Sequence, residues 1–267
     1  MKIAIITVAG ISSRFNQDIK TESERLKAIY YDVTPSQTLL YHLVKKCEYA
    51  DKIIIVGGYQ YNELEQYIIK VIPPTIRRKI VLVKNDHYKD LASGYSLFLG
   101  IKSAFEHKDK ISEILFVEGD LDIDLYSFSQ VVRLEKSVLT YNTEPIFANK
   151  SVVLYMDAEG CYQYAFSKTH GNLLIKQPFQ CILNSGQLWK FRNIEVLKKV
   201  NDIFGERYQG DTNLKIIQMY IDRIAIEDIE LVRLRHWINC NTREDYKLIE
   251  AYWEDWDEKN NRETENC

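Results

Sequence analysis

The 267 residues carry 35 basic and 38 acidic side chains for a net charge of −3, so no global positive field marks the chain for nucleic acid. No apolar run reaches the roughly 18 residues that span a bilayer and no leader precedes the strand-like residues at Ile3, which predicts no membrane partner and a cytoplasmic location. The five cysteines are odd in number, widely spaced and free of any CxxC, the usage of reduced thiols rather than of a disulfide frame or a zinc site.

Ile3–Val8 is an almost unbroken β-branched run, as expected of a strand buried on both faces of a parallel sheet. Ala9-Gly10-Ile11-Ser12-Ser13-Arg14 follows at once, and the polar stretch Asn16–Arg25 reads as a loop. Leu39–Cys47 has helical spacing, Lys52–Val56 is a second buried strand closed by Gly57-Gly58, and Asn62–Val71 is an amphipathic helix stopped by Pro73-Pro74. Lys79–Val83, Gly94–Phe105 and Glu113–Val117 repeat the strand–helix–strand pattern, and the last ends in Glu118-Gly119-Asp120. The alternation predicts an α/β fold: a Rossmann-like, doubly wound, mainly parallel sheet. Beyond residue 140, Ser151–Met156, Cys161–Ser167 and Asn172–Lys176 read as shorter antiparallel strands, with a turn at Asp157–Gly160. Residues 150–192 would thus form a small antiparallel excursion covering one side of the site. Asn193–Gly205 and Asn213–Ile224 are expected helices, Glu230–Leu234 a late strand and Arg243–Trp253 the last helix. Without an internal repeat or linker, residues 1–253 read as a single domain, and the charged residues 254–267 as a flexible tail.

In open parallel sheets ligands bind beyond the carboxyl ends of the strands. Three groups of residues fall there: the Ala9–Arg14 loop, Gly57-Gly58-Tyr59 and Asp120. The loop offers backbone N–H groups, the Ser12 and Ser13 hydroxyls and the planar Arg14 cation to a phosphate chain. It is neither GxGxxG nor GxxxxGK[ST], which excludes a dinucleotide fingerprint and a P-loop. Lys27, in a short apolar stretch, would set an ammonium on a transferring phosphoryl group; Lys20 competes on spacing alone. Asp120 is placed for Mg²⁺, with Asp122 and Asp124 reading as loop or cap residues. Asn241, just before the expected helix cap Thr242, would be free to turn an amide oxygen to the metal. The five histidines are isolated, and nothing forms a nucleophile–base pair.

Together these segments resemble the sugar- and choline-phosphate nucleotidyltransferases, most closely the choline-phosphate cytidylyltransferase type of bacterial surface-glycan pathways. AGISSRF resembles the family's AGxGSRF loop with Ser12 where glycine is usual, and LKAIYYDV its signature-lysine segment. The segment from Asn85 to Leu97 is similar to N-x-x-Y-x-x-x-N-S-x-Y-S-[FL], FVEGDLDI to the metal-aspartate segment, and WINCNTREDY to W-x-E-I-D-T-x-E-D-Y. The resemblance implies that Ala9, Gly10, Ser12, Ser13 and Arg14 cradle a triphosphate. It implies further that Lys27 neutralises charge at the α-phosphate, that Ala92, Ser93 and Ser96 lie near base and ribose, and that Asp120 and Asn241 hold Mg²⁺. The implied activity joins CMP from CTP to a small phosphorylated acceptor, releasing pyrophosphate, for surface polysaccharide precursors, in a monomer or homodimer.

Acceptor contacts are expected from residues 150–215, with Lys176, Gln180, Asn184 and Tyr208 as candidates by position. A choline-like acceptor would want the rings of Tyr162, Tyr164, Trp189 and Tyr208 with Asp211, whereas Lys168, Lys176 and Arg192 would suit an anion. Two alternatives stay open: a GT-A type glycosyltransferase using Asp120-Leu121-Asp122 as its metal-binding DxD, and a catalytically inactive nucleotide sensor.

Overall fold

The structure, a computed structural model, describes residues 1–17, 19–165 and 173–253; the expected tail, Lys168 and the end of the Cys161–Ser167 strand lie outside the described residues. Strands β1 (Lys2–Val8), β2 (Lys52–Gly57), β3 (Ile80–Lys84) and β4 (Glu113–Glu118) pair in parallel in the order β3-β2-β1-β4. Each crossover carries a helix: α1 (Leu39–Lys46) before β2, α2 (Tyr61–Val71) and the short α3 (Pro74–Arg77) before β3, and α4 (Ser93–Phe105) before β4.

The unbroken apolar runs are explained by packing on both sheet faces. Ala4, Ile6 and Val8 join Ile53, Ile55, Leu115 and Val117 in one core, against the helix residues Leu40, Leu43, Leu64 and Ile68. Ile3, Ile5, Ile54, Val56, Ile114 and Phe116 join the other, against Leu97 and Ile101. A side-chain period of two divides each strand between the two layers.

Beyond β4 the sheet continues and reverses sense. After β5 (Leu121–Ile123) and α5 (Leu125–Arg133) come β6 (Ser137–Asn142), β7 (Val153–Asp157), β8 (Tyr162–Ala165), β9 (Phe179–Ser185) and β10 (Leu188–Phe191). Strand β10 lies antiparallel between β4 and β6, and β9, β7 and β8 follow in antiparallel pairs. The antiparallel strands therefore extend the central sheet, which is mixed α/β as expected. Residues 173–176, an expected strand, have no regular structure, and β9 takes that place further on. The turn at Asp157–Gly160 forms, with Gly160 at φ 85 and the Asp157 carboxylate accepting from the N–H groups of Glu159 and Cys161.

The chain closes with α6 (Ile194–Arg207), α7 (Asn213–Ile221), β11 (Ile229–Arg233) parallel to β6, β12 (Trp237–Asn239) and a helix over residues 243–253, here α8. Strand β12 pairs with β5 in a separate two-stranded sheet, setting residues 237–241 beside the segment that carries Asp120. Caps fix the helix starts: Thr38 accepts from Tyr41 N–H, Asp124 from Ser127 N–H and Asn193 from Val196 N–H. Among the described residues no helix is long and apolar enough to cross a membrane.

Candidate active site

A cavity of about 470 Å³ opens beyond the carboxyl ends of β1 and β4. Its wall includes Ala9, Gly10, Ser12, Ser13, Arg14, Lys27, Ala92, Ser93, Ser96, Asp120 and Asn241, so residues from five separate stretches of sequence meet there.

The loop after β1 is anchored to the segment after β2: Ala9 accepts from Tyr59 N–H at 3.1 Å. Ser12 has φ 56, the left-handed region that favours glycine, where the resembled signature has one. Its hydroxyl accepts from Lys27 N–H at 3.2 Å, and its carbonyl accepts from Asn16 N–H at 3.0 Å. Buried Asn16 also exchanges hydrogen bonds with the Arg25 backbone. Gln60, at φ 50, accepts from Leu26 N–H at 2.7 Å and donates to the Glu24 carbonyl at 3.1 Å. These bonds bend residues 16–27 back so that Lys27 enters the cavity; Lys20 is exposed and off its wall.

The Lys27 ammonium donates to Asp120 Oδ2 and to the Cys240 carbonyl, each at 2.8 Å. Asp120 Oδ1 is buried and has no hydrogen-bond partner among the described residues. A carboxylate oxygen in that state is an acceptor without a donor, so the site fits a cation. Magnesium suits it because it takes one or two carboxylates and leaves its other positions to water and phosphate oxygens. Among the described residues no cluster of three or more His, Cys, Asp or Glu forms, so a metal here would draw on few side chains.

Beside Asp120 stands Glu118, which the sequence reading left without a role. Burial, with the Asp120 charge next, pushes its carboxyl up to about 8. It accepts from Asn213 Nδ2 at 2.5 Å, and Asn213 meets the Ser93 hydroxyl at 3.3 Å. This chain of contacts locks the starts of α4 and α7 to β4. Asn241 is held by its backbone, since Asp245 Oδ2 accepts from the N–H groups of Asn241 and Thr242 at 2.8 Å each. Asp124 is a helix cap, as read. Asp122 is buried, contacting His236 Nε2 at 2.8 Å, accepting from Trp253 Nε1 at 3.0 Å and lying 3.6 Å from Lys46 Nζ. Burial would raise the Asp122 carboxyl, but those partners hold it below the usual carboxylate range.

None of the acceptor candidates Lys176, Gln180, Asn184 and Tyr208 lines the cavity. Lys176 and Gln180 are exposed, and Gln180 donates to the Ala158 carbonyl. Asn184 is buried and donates to the Glu144 carbonyl, while Lys215 sits 4.4 Å over the Tyr208 ring. Trp189 donates to the Tyr164 hydroxyl at 2.7 Å inside the core, which spends the expected aromatic cage on packing. Strand β9 reaches the cavity only past its end, so Gln187 in the β9–β10 turn is what arrives, together with residues 148–152. The carboxylate of Glu118 and the amides of Asn213 and Gln187 stand in apolar or unpatterned sequence, and only their placement marks them.

A family model described as "Domain of unknown function (DUF6564)" matches residues 23–253. The chain belongs to this family. The DUF6564 match takes in Lys27, Asp120 and Asn241 and begins past the Ala9–Arg14 loop. No curated protein matches the chain. Solved structures do. The CTP:phosphocholine cytidylyltransferase of Streptococcus pneumoniae is similar at TM-score 0.62 and 15% identity, over 94% of this chain and 99% of that one. The inositol-1-phosphate CTP transferase of T. maritima gives 0.63 and 14% over 93% and 95%. A UDP-glucose pyrophosphorylase complexed with UDP-glucose gives 0.65 and 14% over 96% and 99%. This member of DUF6564 thus has the fold of nucleotidyltransferases.

Proposed function

We propose that the chain is a nucleotidyltransferase that joins a nucleoside monophosphate from its triphosphate to a small phosphorylated acceptor and releases pyrophosphate. The reading rests chiefly on one observation: Lys27 is held against Asp120 at 2.8 Å on a cavity wall that the Ala9–Arg14 loop continues. The donor is taken as CTP on the resemblance of the sequence, and two of the similar structures above are CTP-using enzymes by name.

Charge accounts for the chemistry. An acceptor phosphate oxygen, already an anion, attacks the α-phosphate in line and pyrophosphate leaves, so no general base is needed. The loop N–H groups and the Arg14 guanidinium hold the triphosphate, while the Lys27 ammonium meets charge that develops on the α-phosphate. Magnesium, which Asp120 and the Asn241 amide oxygen would hold, would neutralise phosphate charge when bound. Ser93, Ser96 and Asn85 stand on the wall where base and ribose would lie, with Asn85 Nδ2 donating to the Ser96 hydroxyl at 2.9 Å. The glycosyltransferase alternative is disfavoured because Asp122, the second aspartate of its DxD, is buried against His236, Lys46 and Trp253.

Thermal unfolding with Mg²⁺ and CTP, UTP, dTTP, ATP, GTP or UDP- and CDP-linked sugars tests the donor. A triphosphate at 100 times its Kd adds about 2.7 kcal/mol of stability. Selective stabilisation by CTP, followed by pyrophosphate release with a phosphorylated acceptor, is the expected result. Stabilisation only by nucleotide sugars would turn the reading to the glycosyltransferase, and binding without turnover to the sensor.

A further inference from the structure

Three described residues other than glycine have positive φ: Ser12 at 56, Gln60 at 50 and Gln187 at 54. For two of them the side chain accounts for the strained backbone. The Ser12 hydroxyl accepts from Lys27 N–H, and the Gln60 amide bonds Leu26 and Glu24, so both build the loop that delivers Lys27. Gln187 is different. Its backbone N–H and carbonyl meet Ser185 and Glu118, but its side-chain amide has no hydrogen-bond partner among the described residues. The residue is only 5% exposed, and what it faces is the cavity. An amide that opens onto the cavity with no partner among the described residues, at a position where glycine would be free of strain, points to a ligand as its partner.

The strand order says which ligand. Strand β1, with the phosphate loop, lies on one side of β4, and β10, with Gln187 just before it, lies on the other. Asp120 stands between them. Gln187 therefore faces the half of the cavity that the triphosphate loop does not line, beside residues 148–152. An amide offers both a donor and an acceptor, which suits hydroxyl groups. A trimethylammonium group makes no such bonds and calls for rings. Among the described residues, the aromatic side chains on the cavity wall are Phe15 and Tyr88, both on stretches that flank the phosphate-loop side.

We infer that Gln187 is a specificity-determining residue of the acceptor half, reading hydroxyl groups of a phosphate monoester whose organic part is uncharged and hydroxylated; this rests on the nucleotidyltransferase reading. Steady-state pyrophosphate release by the full chain with Mg²⁺ and the stabilising triphosphate tests it, with sugar 1-phosphates, glycerol phosphate and phosphocholine as acceptors. Gln187→Gly is the informative variant, because glycine relieves the positive φ and gives up no hydrogen bond within the protein. The expected result is turnover of a hydroxylated ester by the parent chain. Gln187→Gly then raises acceptor KM about tenfold, keeps triphosphate KM within about twofold, and leaves Tm unchanged or higher. Gln187→Asn, which tolerates the same backbone with a shorter amide, should fall between.

Preference for phosphocholine, no release with any hydroxylated ester, an equal rise of both KM values, or an unchanged acceptor KM would overturn the role of Gln187 while triphosphate use still stands. If no triphosphate stabilises the chain and none releases pyrophosphate, the nucleotidyltransferase reading itself fails and takes this inference with it.

Discussion

At the scale of single residues the site depends on Lys27, an ammonium shared between a carboxylate and the Cys240 carbonyl. Replacing Lys27 with Met removes the cation that the proposed reaction sets against charge appearing in the transition state. The expected loss is about 10²–10³ in kcat, with triphosphate binding reduced less. Stopped assays of pyrophosphate release, paired with thermal unfolding to show that the fold survives, check this; equal activity would remove Lys27 from the mechanism. Spacing alone could not separate Lys27 from Lys20. The decision lies in Asn16 and Gln60, whose amides fold the intervening loop, and an amide in a polar stretch carries no sign of what it will bind. Ser12 was legible as a departure from a glycine signature, yet its positive φ, which keeps the glycine geometry, emerges only from the folded backbone.

At the scale of elements, the approach of the β1 end to the turn after β4 leaves no room at Gly119. A β-carbon there would lie 2.7 Å from the Thr7 carbonyl oxygen and against the Val8 side chain. Gly119→Ala should therefore destabilise the chain by about 1–3 kcal/mol in urea unfolding and reduce activity, since Asp120 moves with its neighbour. Gly10→Ala, with nothing within 4 Å of the added carbon, should leave stability unchanged. The four parallel strands were legible because burial on two faces leaves a continuous apolar run. Strands β6, β9 and β10 were not. The first four residues of β9 are exposed, which hides its pattern. Strand β10 carries Lys190 at 1% exposure, donating to the Val132 and Leu134 carbonyls and paired with Glu113 at 3.1 Å, so a charged residue stands where a strand pattern asks for an apolar one. The arrival of Gln187 at the cavity was hidden for the same reason: its position follows from strands that did not declare themselves.

At the scale of the whole molecule, α8 binds the C-terminal end of the chain to α1 and β5. His42 stacks on Trp253 with ring centres 3.8 Å apart, and Trp253 donates to Asp122. Burial, then the Lys46 charge, lowers the His42 pKa from 6.5 to about 4. In the unfolded chain His42 takes a proton near 6.5, and in the folded chain only near 4. Between those values the unfolded state binds more protons, so stability is full above pH 6.5 and falls as pH drops towards 4, by up to about 1.4 kcal/mol per unit. Asp122, whose carboxyl is held low, adds to the loss at the acid end of that window. Urea midpoints measured from pH 8 to 4 should show the slope, and His42→Phe, which keeps a ring on Trp253, should flatten it between 6.5 and 4; an unchanged slope would assign it elsewhere.

The bond from Lys27 to the Cys240 carbonyl spans 213 positions of sequence. During synthesis the phosphate loop and its lysine leave the ribosome early, yet the lysine has no carbonyl to anchor it until residue 240 has been made. Strand β12, which carries that carbonyl into place, pairs with β5 only then. A nascent chain thus displays the Ala9–Arg14 loop without the contact that holds Lys27 against Cys240, and that part of the cavity wall is complete only once residue 240 is in place.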